Sequence, residues 1–272
     1  MAPRILACFG RGFGPESTLG HSGSESDQRR AGPVLVELFS SQGCKTSPDA
    51  ENLISRLGRG DFAELEEEEG MLPAVVVLEF HVEYWDYLGW KDPFGSSMWT
   101  VRQKAYVESL KLDTLYTPQV VVMGRKECLG TEESNIISAV RSAPRFAAPT
   151  FQVSFQKPGP ETLNVSLTGQ LRMKVDCCGL DVMVALCESG LTTNCIRGEN
   201  AGKMLSNDYV VRKLEKLCSV KDISSKKILS GTLGFSLWEG FDASKSMIVL
   251  FAQNSSNYHT FGVQKFKLPD GL

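Results

Sequence analysis

The strongest constraint in this 272-residue chain is an alternation that stops partway. From Pro33 to Ala143 strand-like and helix-like segments take turns, and beyond residue 150 nearly everything reads as strand. "VLVELF" (34–39) is apolar and rich in β-branched residues, which predicts a strand. The helix after it opens at Pro48, tolerated there because a first-turn N–H has no helical partner anyway. Ala50, Leu53, Ile54 and Leu57 form its apolar face, and Gly58 and Gly60 close it. "AVVVLEFHV" (74–82) predicts a buried strand, and "SMWTVRQKAYVESL" (97–110) a helix with Trp99, Val101, Ala105, Tyr106 and Leu110 near helical spacing. "YTPQVVVMG" (116–124) predicts a strand entered through a Thr-Pro step, and residues 127–129 a short strand. "TEESNIISAVRSA" (131–143) predicts a helix with Thr131 as N-cap. The order β-α-β-α-β-β-α implies an α/β fold, a mixed sheet with flanking helices.

After the Pro/Ala-rich "SAPRFAAPT" (142–150) the texture changes. "TFQVSF", "TLNVSLTGQL", "DVMVALCES", "KKILSGTLGFSL", "MIVLFAQN" and "TFGVQKFKL" predict strands, and only "SNDYVVRKLEKLCS" (206–219) reads as helical. Strands at this spacing imply a second, β-sandwich-like domain. The expected organisation is a disordered tail over 1–30, an α/β domain over 31–147 and a β-rich domain over 148–268. The run "ELEEEEG" (64–70) lacks apolar spacing and reads as a solvated loop or frayed helix.

Composition removes several classes of function. A formal net charge of −3 with both signs interspersed offers no basic stripe for nucleic acid. Apolar runs such as 74–80 are strand-length and do not span a bilayer, so no membrane partner is expected. "ILACF" is too short for a signal-peptide core, and Ala2 excludes myristoylation; acylation of Cys8 or a transit role is the alternative for this tail. The expected location is therefore cytoplasmic, with the eight cysteines mostly reduced and the Asn164 and Asn254 sequons unused.

The chemistry concentrates in "LFSSQGCKTSPDAENLISRL" (38–57), where Cys44 sits between a strand and a helix. Unpaired backbone N–H groups and the positive end of the helix dipole favour thiolate over thiol there. A cysteine three residues on would complete a Cys-x-x-Cys pair; the chain has Ser47. Lys45 either lowers the thiol pKa or points into solvent. His81, beside Glu83, Tyr84, Trp85 and Asp86, follows a strand end, where ligand sites of parallel sheets gather. It reads either as a cap tuning the thiol or as a satisfied structural histidine, with Tyr84 and Trp85 walling the site. The Cys177-Cys178 pair, Cys187, Cys195 and Cys218 show no metal-ligand spacing, and with three histidines in all, no metal is expected. No Ser-His-Asp, phosphate-loop or dinucleotide fingerprint is visible.

"VELFSSQGC", "FHVEYWDYLGWKDPF", "YTPQVVV" and "RGENAG" together resemble the thioredoxin-like superfamily, and more closely a bacterial and plant family of unknown function. That family combines a thioredoxin-like core with an appended β-rich region, and the resemblance covers roughly residues 33 to 268. Its turn usually reads Cys, two small residues, Cys, Pro; Cys44 and Pro48 match, and Ser47 replaces the second Cys. The resemblance implies a cis Thr117-Pro118 bond against the active cysteine, with Thr117 presenting its backbone to a peptide or to glutathione. The catalytic set so implied is Cys44, Ser47 and Pro118; with the residues read above, the expected substrate-binding set is Lys45, Thr117, His81, Tyr84 and Trp85. It also implies a single-cysteine thiol–disulfide protein acting on protein thiols or glutathione, with no cofactor beyond glutathione as co-substrate. The alternative is a non-enzymatic binding module that keeps the groove without turnover. The polar "IRGENAGKML" loop (196–205) reads either as part of a site or as turn chemistry joining two strands.

Overall fold

The computed structural model describes residues 32–62, 72–173, 179–221 and 227–272. The tail expected over 1–30, the acidic run at 64–70 and the Cys177-Cys178 pair lie outside the described residues. Strand β1 (Val34–Ser40) leads into helix α1 (Ser47–Arg59), then β2 (Val75–His81) and α2 (Ser97–Ser109). Next come β3 (Gln119–Val122), β4 (Lys126–Leu129) and α3 (Glu133–Ser142). The strands β5 (Thr150–Gly159), β6 (Thr162–Gln170), β7 (Leu180–Glu188), β8 (Leu191–Cys195) and β9 (Lys203–Asn207) follow. Then come β10 (Val210–Val220), β11 (Leu229–Ser236), β12 (Ser246–Asn254) and β13 (Thr260–Lys267).

The fold is mixed α/β: a large mixed sheet with few helices. Its eight strands run in the order β13-β12-β7-β10-β2-β1-β3-β4. Strand β1 is parallel to β2, and β10 meets β2 in parallel at Val210–Glu79; the other neighbours are antiparallel. Strands β11, β6 and β5 form a second sheet, and β8 and β9 a hairpin. Residues 31–147 and 148–268, expected as two domains, thus contribute to one sheet. The β-rich half does make two layers, but one of them continues the sheet of the first half.

Side-chain alternation shows how one sheet serves two cores. In β7 and β12, Ala185, Cys187, Val249 and Phe251 pack with β1, β2 and the helices. Val182, Val184, Leu186, Ile248, Leu250 and Ala252 point the other way, against β5, β6 and β11. Strands buried on both faces read as continuous apolar runs, as these do.

Four local expectations change. Residues 206–219 are not helical: they end β9 and supply β10. Val210 and Val211 are buried where β10 fills the gap between β7 and β2, and that pairing overrides the helical preference of "RKLEKL". In α2, Val101 is 66% exposed, and the buried stripe is Trp99, Arg102, Gln103 and Tyr106. Arg102 is accommodated by ion pairing to Glu37 at 2.7 Å and by the faces of Phe80, Tyr106 and Phe251. Helix α1 ends at Gly60, left-handed at φ 84°, whereas Gly58 lies inside it, under the Tyr209 ring. Helix α3 starts at Glu133 with Glu132, not Thr131, as N-cap.

Candidate functional site

The strand-to-helix turn carries Cys44 at the end of β1. Its N–H donates to Ser41 O at 3.0 Å, and Pro48 occupies the first turn of α1. Cys44 is 6% exposed, and its sulfur lies 3.5 Å from Thr46 Oγ1 and 3.6 Å from the carbonyl oxygen of Thr117. Burial pushes this thiol up, but hydrogen bonds with Ser47, Thr117 and Thr46 outweigh burial and hold it below the ordinary thiol range. Burial raises Cys128, Cys187, Cys195 and Cys218 instead. Among the described cysteines, Cys44 alone is held below the ordinary thiol range.

Of the expected site residues, Ser47 and Thr117 meet this sulfur, and Trp85 and Tyr84 pack around Thr117. Ser47 is fully buried, and its hydroxyl accepts from Ser41 N at 3.3 Å besides bonding the thiol. The Thr117–Pro118 peptide is cis. Trp85 Nε1 donates to Thr117 Oγ1 at 2.7 Å, and a Cβ at Gly43 would stand 3.0 Å from Trp85 Cβ, so the turn packs against the Trp85 backbone. Trp85 stacks on Tyr87, which is 77% exposed, and Tyr84 leans against Trp85 while donating to Gln103 Oε1 at 3.2 Å. Lys45 is exposed and is not among the groups that lower the thiol.

His81 is not on this surface. It is wholly buried, with Nδ1 2.7 Å from Asp92 Oδ2 and Nε2 2.6 Å from Glu79 Oε1. Glu51 joins this cluster and accepts from Ser40 Oγ at 2.5 Å. Burial, with the charge of Glu79 added, pushes the Glu51 carboxyl up to about 8. Burial also raises Glu79. Burial disfavours charge on His81, yet Asp92 and Glu79 overcome it and hold the imidazolium well above its usual pKa. Burial opposes ionisation of Asp92, but His81 and the N–H groups of Gln42 and Phe94 keep it below the usual carboxylate range.

Sequence reasoning missed the residues that tie this cluster to the turn. Gln42 N donates to Asp92 Oδ2 at 2.7 Å, and its side chain donates to Asn207 at 2.9 Å and Thr193 at 3.1 Å. Trp90 Nε1 in turn donates to Gln42 Oε1 at 3.1 Å. Asn200, between β8 and β9, donates to the carbonyls of both Gln42 and Cys44 at 2.9 Å. The unusual composition of "RGENAG" was the only signal for this clasp. Among the described residues, no helix is long and apolar enough to cross a membrane.

Two solved structures share the fold. One is a protein from Agrobacterium tumefaciens, 24% identical, matched over 89% of this chain and 96% of its own with a TM-score of 0.59. The other is HBP35 of Porphyromonas gingivalis, 14% identical over 88% of this chain and 76% of its own, also at 0.59. No curated protein matches the chain. Residues 35–253 match the family described as "Protein of unknown function (DUF1223)", and the chain belongs to that family.

Proposed function

We propose that the chain is a thioredoxin-like redox protein that uses Cys44 as its single nucleophile. The strand order β2-β1-β3-β4, with α1 after the first strand, is read as the thioredoxin-like core, and the β-rich half as its appended region. The observation that carries the reading is the Cys44 sulfur, held below the ordinary thiol range by hydrogen bonds with the side chains of Ser47, Thr117 and Thr46, the last 3.5 Å away. In the proposed step the Cys44 thiolate attacks one sulfur of a disulfide, forming a mixed disulfide and expelling the other sulfur as thiolate. Because Ser47 cannot resolve that intermediate, a second thiol such as glutathione attacks it and releases Cys44. Lys45, Thr117, Tyr84 and Trp85 would meet the substrate, which is a protein thiol or glutathione in the cytoplasm. His81 supports the turn from beneath.

A binding module without turnover is the second reading, favoured by the 6% exposure of Cys44 and by Ser47. Mass spectrometry after titration with oxidised glutathione separates the two. A glutathione adduct confined to Cys44, removed by excess reduced glutathione, is the outcome expected of the redox protein. An unmodified Cys44 leaves the binding module.

A further inference from the structure

The thiol chemistry makes no use of the cluster buried beneath it. Glu51 from α1 and Glu79 and His81 from β2 each offer one donor atom, and the three atoms lie within 4.8 Å of one another. None of these residues is more than 1% exposed. Each is also held by an outer partner. Ser40 donates to Glu51 Oε1 at 2.5 Å, Asn207 donates to Glu79 Oε1 at 3.1 Å, and Asp92 holds His81 Nδ1 at 2.7 Å. His81 Nε2 is left facing Glu79, and Glu51 Oε2 is left buried with no hydrogen-bond partner. An unmatched buried carboxyl oxygen is costly, and here three carboxyl groups, Glu51, Glu79 and Asp92, converge on one imidazole.

We propose that Glu51, Glu79 and His81 bind one divalent transition-metal ion of the Zn2+ class, which braces the Cys44 turn from below. Two carboxylates and an imidazole suit such an ion. A histidine whose second nitrogen is held by a carboxylate, as Asp92 holds His81, is the usual orienting arrangement around a bound metal. With ligand distances of about 2.0–2.2 Å around Zn2+, donors now within 4.8 Å of one another need shift by only about an ångström. The ion takes the place of the proton shared by His81 Nε2 and Glu79 and of the proton on the Glu51 carboxyl; both leave to solvent, and no oxidation state changes. Coupling to the turn runs through the outer partners: Asp92 also accepts from Gln42 N, and Asn207 from the Gln42 side chain. Positions 51, 79 and 81 lie on two elements, so no ligand spacing in the sequence announces the site.

The test uses the full chain carrying Cys44→Ser, which removes the nucleophile and makes the result independent of the redox reading. The protein is stripped with a chelator and given Zn2+. The expected result is one Zn2+ per chain by elemental analysis. With it should come a rise in Tm of roughly 5–10 °C at free Zn2+ a hundredfold above Kd. X-ray absorption at the zinc edge should show one imidazole with oxygen ligands and no sulfur. Glu51→Gln in the same background should weaken uptake at least tenfold. Should that variant fail to fold, the stoichiometry and absorption spectrum of the chain with its ligands intact decide alone. Absence of retained Zn2+, sulfur in its coordination shell, or full uptake by a folded Glu51→Gln chain would overturn the proposal.

Discussion

Thr117 joins Trp85 to Cys44: its hydroxyl accepts from the indole N–H at 2.7 Å while its carbonyl lies 3.6 Å from the thiol sulfur. The aromatic loop after β2 and the turn after β1, distant in sequence, therefore set the position of one residue. Replacing Trp85 by Phe removes the indole donor and frees Thr117. Since the hydrogen bond from the Thr117 side chain, not its carbonyl, is one of the groups lowering the thiol, Cys44 should alkylate more slowly at neutral pH, by roughly two- to tenfold for one weakened charge-assisted bond. Iodoacetamide kinetics read this directly, and an unchanged rate would remove Trp85 from the site.

The pH dependence of alkylation has a definite sign. Iodoacetamide reacts with thiolate, so the rate climbs through the thiol pKa, and for Cys44 it should reach half-maximum at a lower pH than for an unperturbed cysteine. Ser47→Ala deletes the largest of the lowering hydrogen bonds and should move that midpoint upward. Cys128, Cys187, Cys195 and Cys218, all raised by burial, should react later than Cys44 at pH 7. A midpoint for Cys44 at or above that of Cys218 would contradict the assignment.

Ser47→Cys tests how far the turn retains dithiol geometry. The Ser47 hydroxyl already bonds the Cys44 sulfur, so a sulfur in its place starts close to bonding position. The variant should form an intramolecular disulfide under mild oxidation and gain insulin-reducing activity over the parent. Persistence of two free thiols at positions 44 and 47 by mass spectrometry would count against a redox ancestry for the turn.

Asn200 is a positioning residue, and its loss should be felt in stability and at the thiol together. Asn200→Ala strips the buried carbonyls of Gln42 and Cys44 of a shared donor. The expected cost is about 1–3 kcal/mol in urea unfolding, with a changed Cys44 alkylation rate. A destabilised chain with an unaltered alkylation profile would reduce Asn200 to a purely structural clasp.

Local rules carried much of the first half. The β1 turn, the helix opened by Pro48 and the apolar face of Ala50, Ile54 and Leu57 depend on neighbours within a few residues, and they stand where expected. So does a cysteine placed at a helix start, together with Trp85 near it. Strands β8 and β9 were missed because "LTTNC" and "KMLSN" are short, polar and without alternation.

By itself the sequence determined which segments are strands or helices wherever hydrophobic period and turn residues agreed, and it marked Cys44 as the reactive candidate. Only the tertiary structure decided that β10 is a strand, because a place between β7 and β2 outweighs the helical preference of its charged residues. It also decided that His81 is buried rather than capping the thiol, paired to Asp92 and Glu79, and that Asn200 reaches back to position 44. Those outcomes turn on contacts such as His81–Asp92 and Asn200–Cys44, 11 and 156 positions apart, which no local pattern encodes.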